Sequence, residues 1–143
     1  MRAVILRQIL EEHRNTTNTF KRNALKEYLQ ILALSFIYGH PQYQKLIFYG
    51  GSCLRHCFDL PRLSEDLDFI ALQPIDKIEL AQDLKHFFKK ELDVEINAKM
   101  QKFRVYLKFP ILRELGLSSA SESDQLFLKV EIFIKKQLNY LMK

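Results

Sequence analysis

Tryptophan is absent from this 143-residue sequence, cysteine occurs twice, and glycine and proline occur four times each. Each shortage limits what the chain can be. Two cysteines, Cys53 and Cys57, are too few for a disulfide framework. With His56 they form Cys53-x-x-His56-Cys57, but no second ligand cluster completes a zinc site, so buried thiols are the simpler expectation. Long apolar runs are also missing. The longest, Ile31 to Tyr38, is interrupted by Ser35 and is far too short to span a bilayer. The apolar run within Met1–Arg7 is too short for a signal peptide, which leaves the cytoplasm as the default location and no membrane partner. No internal repeat or long linker is visible, so the scarce glycines and prolines become informative where they do occur.

What is present describes an ordinary globular chain. Apolar residues make up 48% and charged residues 27%, which argues against general disorder and for a single domain, 1–143, with a real core. Phenylalanine is abundant at 11 and tyrosine follows at 6. The formal charge of +5 favours anionic partners such as RNA, DNA or nucleotide phosphates without choosing among them.

The pattern predicts N-terminal helices over about 1–40 and a sheet over about 45–134. Residues 3–13 read as a short helix. Asn15 to Thr19 is a break that offers helix N-caps. In 20–38, Ala24, Leu25, Tyr28, Leu32 and Phe36 recur at helical spacing until Gly39-His40-Pro41. Leu46 to Tyr49 reads as a buried strand, Ser52 to Phe58 as a short helix, 59–62 as a loop, and Leu67 to Leu72 as a second strand. Asp76 with Glu79 resembles a capping box opening a helix that runs to about Leu92, with Leu80, Leu84, Phe87 and Phe88 inward. Strict alternation follows. Val94, Ile96, Ala98 and Met100 share one face, and Phe103, Val105, Leu107 and Phe109 share another, as in two antiparallel strands with a turn near Gln101. A polar loop, 118–124, precedes a last strand, Leu126 to Ile134. The expected fold class is α/β (α+β), a mixed sheet with helices packed on it.

Three elements carry chemistry. Gly50-Gly51-Ser52 joins a strand to a helix. The glycines allow a sharp bend and close approach of a ligand, and free N–H groups at a helix start suit a phosphate. Such a turn is also a common purely structural device, and the lysine of a Walker A loop is missing. In Ser64-Glu65-Asp66-Leu67-Asp68-Phe69, a strand points Asp66 and Asp68 to one face. Two carboxylates that close repel unless a cation lies between them, and hard oxygen ligands favour Mg2+ or Mn2+. A solvated acidic loop is the plain alternative, but a charge among Leu67, Phe69 and Ile70 is costly without a partner. Glu131, mid-strand beside Lys129, reads either as one half of a surface ion pair or as a third carboxylate from a neighbouring strand. Together the elements describe phosphoryl transfer. A fourth feature is the basic strand face of Lys102, Arg104, Tyr106 and Lys108, which suits nucleic acid or simply protects an edge strand.

Phe48 to Arg55 followed by Arg62 to Phe69 resembles the AbiEii/MenT-type nucleotidyltransferase toxins of the DNA polymerase β-like superfamily. Their pattern joins a Gly-Gly-Ser/Thr-x-Leu-Arg turn to Arg-Phe/Leu-Ser-x-Asp-Leu-Asp-Phe. Leu128-Lys129-Val130-Glu131-Ile132 resembles the next motif, so the likeness runs from about residue 20 to 134. It implies a metal-dependent nucleotidyltransferase with Asp66, Asp68 and Glu131 as catalytic metal ligands. Gly50, Gly51, Ser52, Arg62, Ser64 and Lys129 would bind the nucleoside triphosphate. It further implies a toxin of a toxin–antitoxin or phage-defence system, an RNA acceptor such as a tRNA 3′ end, and a cognate antitoxin. Family members usually continue into a helical half, whereas this sequence stops at Lys143; the resemblance therefore implies a fragment, a truncated product or a minimal form, with self-association through uncovered apolar surface and weak turnover expected. A nucleotide-binding remnant, or transfer to a protein or small molecule, are the competing functions.

Overall fold

The computed structural model describes residues 1–50 and 66–134. In chain order these form α1 (Val4–Glu12), α2 (Asn18–Gly39), β1 (Ile47–Tyr49), β2 (Asp66–Ala71), α3 (Lys77–Leu92), β3 (Asn97–Met100), β4 (Arg104–Pro110) and β5 (Gln125–Ile134).

Local chemistry sets the helix boundaries. The Thr17 hydroxyl accepts the Phe20 N–H at 3.1 Å and so caps α2. At the other end His40 is extended (φ −108°, ψ 124°), as the residue before Pro41 must be. The Asp76 carboxylate accepts from the N–H groups of Ile78 and Glu79, at 2.9 and 3.1 Å. The capping box stops there, because the Glu79 side chain accepts a hydrogen bond from Gln42 instead. α3 closes on Asp93 in the left-handed region (φ 53°), whose N–H returns to the Lys89 carbonyl.

The strands form one five-stranded sheet in the order β1-β2-β5-β4-β3. β2 and β5 are parallel; every other neighbouring pair is antiparallel. Period-2 alternation divides the sheet into two faces. Leu67, Phe69, Val105, Leu107, Phe109, Leu128 and Val130 are fully buried and join one core with Leu25, Leu29, Ile37, Leu80, Leu84 and Phe88 from the helices. The Phe88 and Phe109 rings meet edge to face at 4.8 Å. All three helices contribute to this core. The opposite face stays half-exposed among the described residues.

Three local expectations change. Leu46 to Tyr49 reads as a strand buried on both sides, yet among the described residues β1 is an edge strand paired with β2 alone, and Ile47 is 44% exposed. The continuous apolar run reflects Leu46 tucked into the core and Phe48 packed against Phe69, not two covered faces. β3 begins only at Asn97; Val94 and Ile96 are buried before the ladder starts. Phe103 does not continue the inward series of Val105, Leu107 and Phe109. With Lys102 it forms a two-residue turn, closed by hydrogen bonds between Gln101 and Arg104, and its ring lies 5.2 Å from that of Phe133.

Candidate active site

Strand register stacks the chemical groups into rows on the half-exposed face. One row runs Tyr49, Asp68, Glu131, Arg104 across β1, β2, β5 and β4. The next runs Asp66, Lys129, Tyr106, Lys99 across β2, β5, β4 and β3. A third continues with Phe127, Lys108 and Asn97. Parallel pairing of β2 with β5 is what sets Glu131 directly beside Asp68, at inter-strand spacing. Asp66 lies two residues along on the same face. One oxygen from each of Asp66, Asp68 and Glu131 lies within 4.8 Å of the others.

Such crowding shows in the electrostatics. The Asp68 carboxyl is pushed up to about 6, first by burial, then by its hydrogen bond and charge repulsion with Glu131 and by the charge of Asp66, while Arg104 pulls it the other way. The Tyr49 hydroxyl is pushed up by burial and by the charges of Asp68 and Glu131. Among the described residues two cations face the three acids. The Arg104 guanidinium hydrogen-bonds Glu131, and Lys129 Nζ lies 4.0 Å from Asp66 Oδ1. All-oxygen donors converging at this spacing suit a hard divalent cation, and Asp66, Asp68 and Glu131 are the residues that could hold it.

Gly50 ties the phosphate-turn motif to this cluster. Its φ is +84°, and a Cβ built there would fall 2.6 Å from Asp68 Oδ2. Both the backbone angle and the space require glycine. Gly51, Ser52, Arg62 and Ser64, like Cys53, His56 and Cys57, lie outside the described residues. Of the expected nucleic-acid face, Arg104, Tyr106 and Lys108 share the half-exposed side of β4. Lys102 lies in the turn, its ammonium 5.2 Å from the Phe103 ring centre. Arg104 is committed to Glu131 and to the Tyr106 hydroxyl, which it meets at 3.0 Å.

Two neighbours were not singled out from the sequence. Tyr49 lies opposite Asp68 and Lys99 lies opposite Tyr106. Counting alternation back from Gly50 would have flagged Tyr49. Lys99 could be found only with the β3–β4 register.

Among the described residues no helix is long and apolar enough to cross a membrane. No individually curated protein matches the chain. Residues 35–138, well over half of the sequence, match the family described as nucleotidyl transferase AbiEii toxin, type IV toxin–antitoxin system. Asp66, Asp68, Glu131 and the Gly50-Gly51 sequence motif all fall within the match, and the chain belongs to that family of toxin–antitoxin nucleotidyltransferases.

Proposed function

We propose that this protein transfers a nucleotide from a nucleoside triphosphate to an RNA acceptor, such as a tRNA 3′ end, using Mg2+ or Mn2+ held by Asp66, Asp68 and Glu131. The observation that carries this reading is the convergence of three carboxylates from two parallel strands on the face of the sheet that is half-exposed among the described residues. Gly50 beside Asp68 sets the start of the proposed phosphate turn, Gly50-Gly51-Ser52, against those acids. Arg62, Ser64 and Lys129 are the further nucleotide contacts in this reading. In the reaction an acceptor hydroxyl attacks the α-phosphorus, the α–β phosphoanhydride bond breaks, and pyrophosphate leaves. A bound divalent cation supplies polarisation of the α-phosphate and charge stabilisation of the departing pyrophosphate. The chain's own contribution is positional: acids at fixed spacing on rigid strands, with Lys129 between Asp66 and Tyr106 as a phosphate-directed cation.

The acceptor strip in this reading crosses the same face. Tyr106 offers a stacking surface, and Lys108 and Lys99 offer backbone charge, with Lys102 at the end of the hairpin and Arg104 adjoining the acids. A cognate antitoxin is the protein partner that family membership suggests, and the cytoplasm is where such an acceptor would be met.

The test is incubation with each α-labelled nucleoside triphosphate and total RNA, with and without Mn2+. Label should pass to RNA only with metal, and not with Asp68→Asn. Label on protein or on a small molecule would refute the acceptor. No transfer to any acceptor, despite metal-dependent nucleotide binding, would leave a binding remnant.

A further inference from the structure

Arg104 occupies an unusual position for a strand residue on a proposed substrate face. It is register-opposed to Glu131 across the β4–β5 ladder, and its Nη2 donates to Glu131 Oε1. Its other terminal nitrogen, Nη1, donates to the Tyr106 hydroxyl at 3.0 Å, and the guanidinium carbon lies 5.5 Å from the Tyr106 ring centre. Tyr106 is two residues along the same strand and faces the same way. Arg104 thus has two seats, one on an acid and one on its own strand. The Glu131 side chain is 13% accessible against 32% for Asp66, so water compensates it poorly.

We propose that Arg104 is the site's resident counter-ion: it neutralises Glu131 when no divalent cation is bound, and gives up that carboxylate to an arriving metal by withdrawing onto Tyr106. The inference rests on the metal-site reading above. A guanidinium and a divalent cation drawn to one carboxylate of this cluster repel one another at close range. Metal loading is therefore an exchange of one cation for another, and not a simple addition to an empty set of acids. Two consequences follow. Arg104 lowers the affinity for free metal and keeps Glu131 stably folded while metal is absent. Once displaced, it stands beside the loaded site as a positive group facing the same side as the triphosphate. Lys129, seated between Asp66 at 4.0 Å and the Tyr106 ring at 5.7 Å, repeats the arrangement one row away.

A purely structural arginine predicts the opposite sign. If Arg104 merely held Glu131 in the right place for metal, removing it would weaken metal binding.

The experiment measures Mn2+ binding alone, from free-ion electron paramagnetic resonance, for wild type, Arg104→Gln, Tyr106→Phe and Asp68→Asn, with thermal unfolding in chelator and in Mn2+. Arg104→Gln should bind Mn2+ about fivefold to tenfold more tightly than wild type. It should melt lower than wild type in chelator and show the larger Mn2+-induced rise. Tyr106→Phe removes the second seat, leaves Arg104 clamped on Glu131, and should bind Mn2+ more weakly. Should Arg104→Gln fail to fold, Tyr106→Phe decides by itself. Unchanged or weaker binding in Arg104→Gln, or unchanged or tighter binding in Tyr106→Phe, overturns the counter-ion role while the metal site stands. A wild type that binds no Mn2+, or binds it equally well as Asp68→Asn, overturns the metal site and this role together.

Discussion

Gly50 and Gly116 make a natural controlled pair. Both have positive φ, +84° and +76°, but a Cβ at Gly116 would meet nothing within 4 Å, whereas one at Gly50 would lie 2.6 Å from Asp68 Oδ2. Substituting alanine at Gly116 should therefore cost only the left-handed backbone, about 1–2 kcal/mol. For a chain of this size that is a melting decrease of roughly 2–8 °C. Gly50→Ala bears the same backbone cost plus a displacement. Ordinary contact begins near 3.4 Å, so the Asp68 carboxylate must retreat by on the order of 1 Å. It cannot do so and keep its spacing to Asp66 and Glu131. Divalent-metal affinity should fall about 10-fold to 100-fold in Gly50→Ala and stay at the wild-type value in Gly116→Ala. Gly39, with no positive φ and open space around it, is the third member of the series. Gly39→Ala should be stabilising by about 0.4–1 kcal/mol. Urea unfolding supplies the stabilities and calorimetry with Mn2+ supplies the affinities. Equal metal affinity in Gly50→Ala and Gly116→Ala would refute the reasoning, because it would mean that Asp68 is not held against the turn or is not a ligand.

The raised Asp68 carboxyl sets a pH dependence. Its proton is held more tightly in the folded chain, near 6, than at its ordinary 3.8, so the metal-free protein should lose stability as pH rises from about 4 to 6 and lose no more from this group above that. Thermal melts in chelator across this range check the sign, and Mn2+ affinity should rise over the same interval. Asp68→Asn removes a repelled charge while nearly keeping its shape. It should melt a few degrees above wild type in chelator at pH 7 and bind Mn2+ at least tenfold more weakly; a lower melting temperature would show that the acids are not in net repulsion. Lys108→Gln, on the open face, should weaken RNA binding and flatten its salt dependence more than Lys102→Gln in the turn, as read by filter binding between low and physiological salt.

The parts of this site that were legible from sequence were those governed by local rules. Alternation places Asp66 with Asp68, and Arg104 with Tyr106 and Lys108, on common faces, and the ladder keeps both groupings. Thr17 and Asp76 announce helix starts because their side chains answer N–H groups two or three residues away. What alternation cannot supply is which strand lies beside which. Glu131 reads equally well as an ion-pair partner of Lys129 until β2 and β5 are seen to be parallel and in register at Asp68. Lys129 in fact approaches Asp66, and Glu131 is bonded to Arg104. Arg104, counted from sequence with the exposed basic face, belongs to the acids for the same reason: period 2 assigns a face, but only pairing assigns a neighbour. β1 departs from the expectation because an apolar run records total burial without saying whether a sheet neighbour or a core side chain supplies it.

Among the described residues, β5 lies between β2 and β4 and is the strand that links two antiparallel pairs, β1–β2 and β3–β4. Each pair alone is a two-stranded ribbon, a marginal structure in water. Joining them requires the last described strand of the chain to insert between segments made long before it, which is a slow, non-local closure. The donor set is therefore assembled by the same event that completes the sheet. A chain cut before Gln125 keeps Asp66 and Asp68 but has neither the third acid nor the strand that aligns it. During synthesis, the proposed metal site would stay unfinished until the central strand has been made and has docked, so under that reading capture of the ion would report that folding is done.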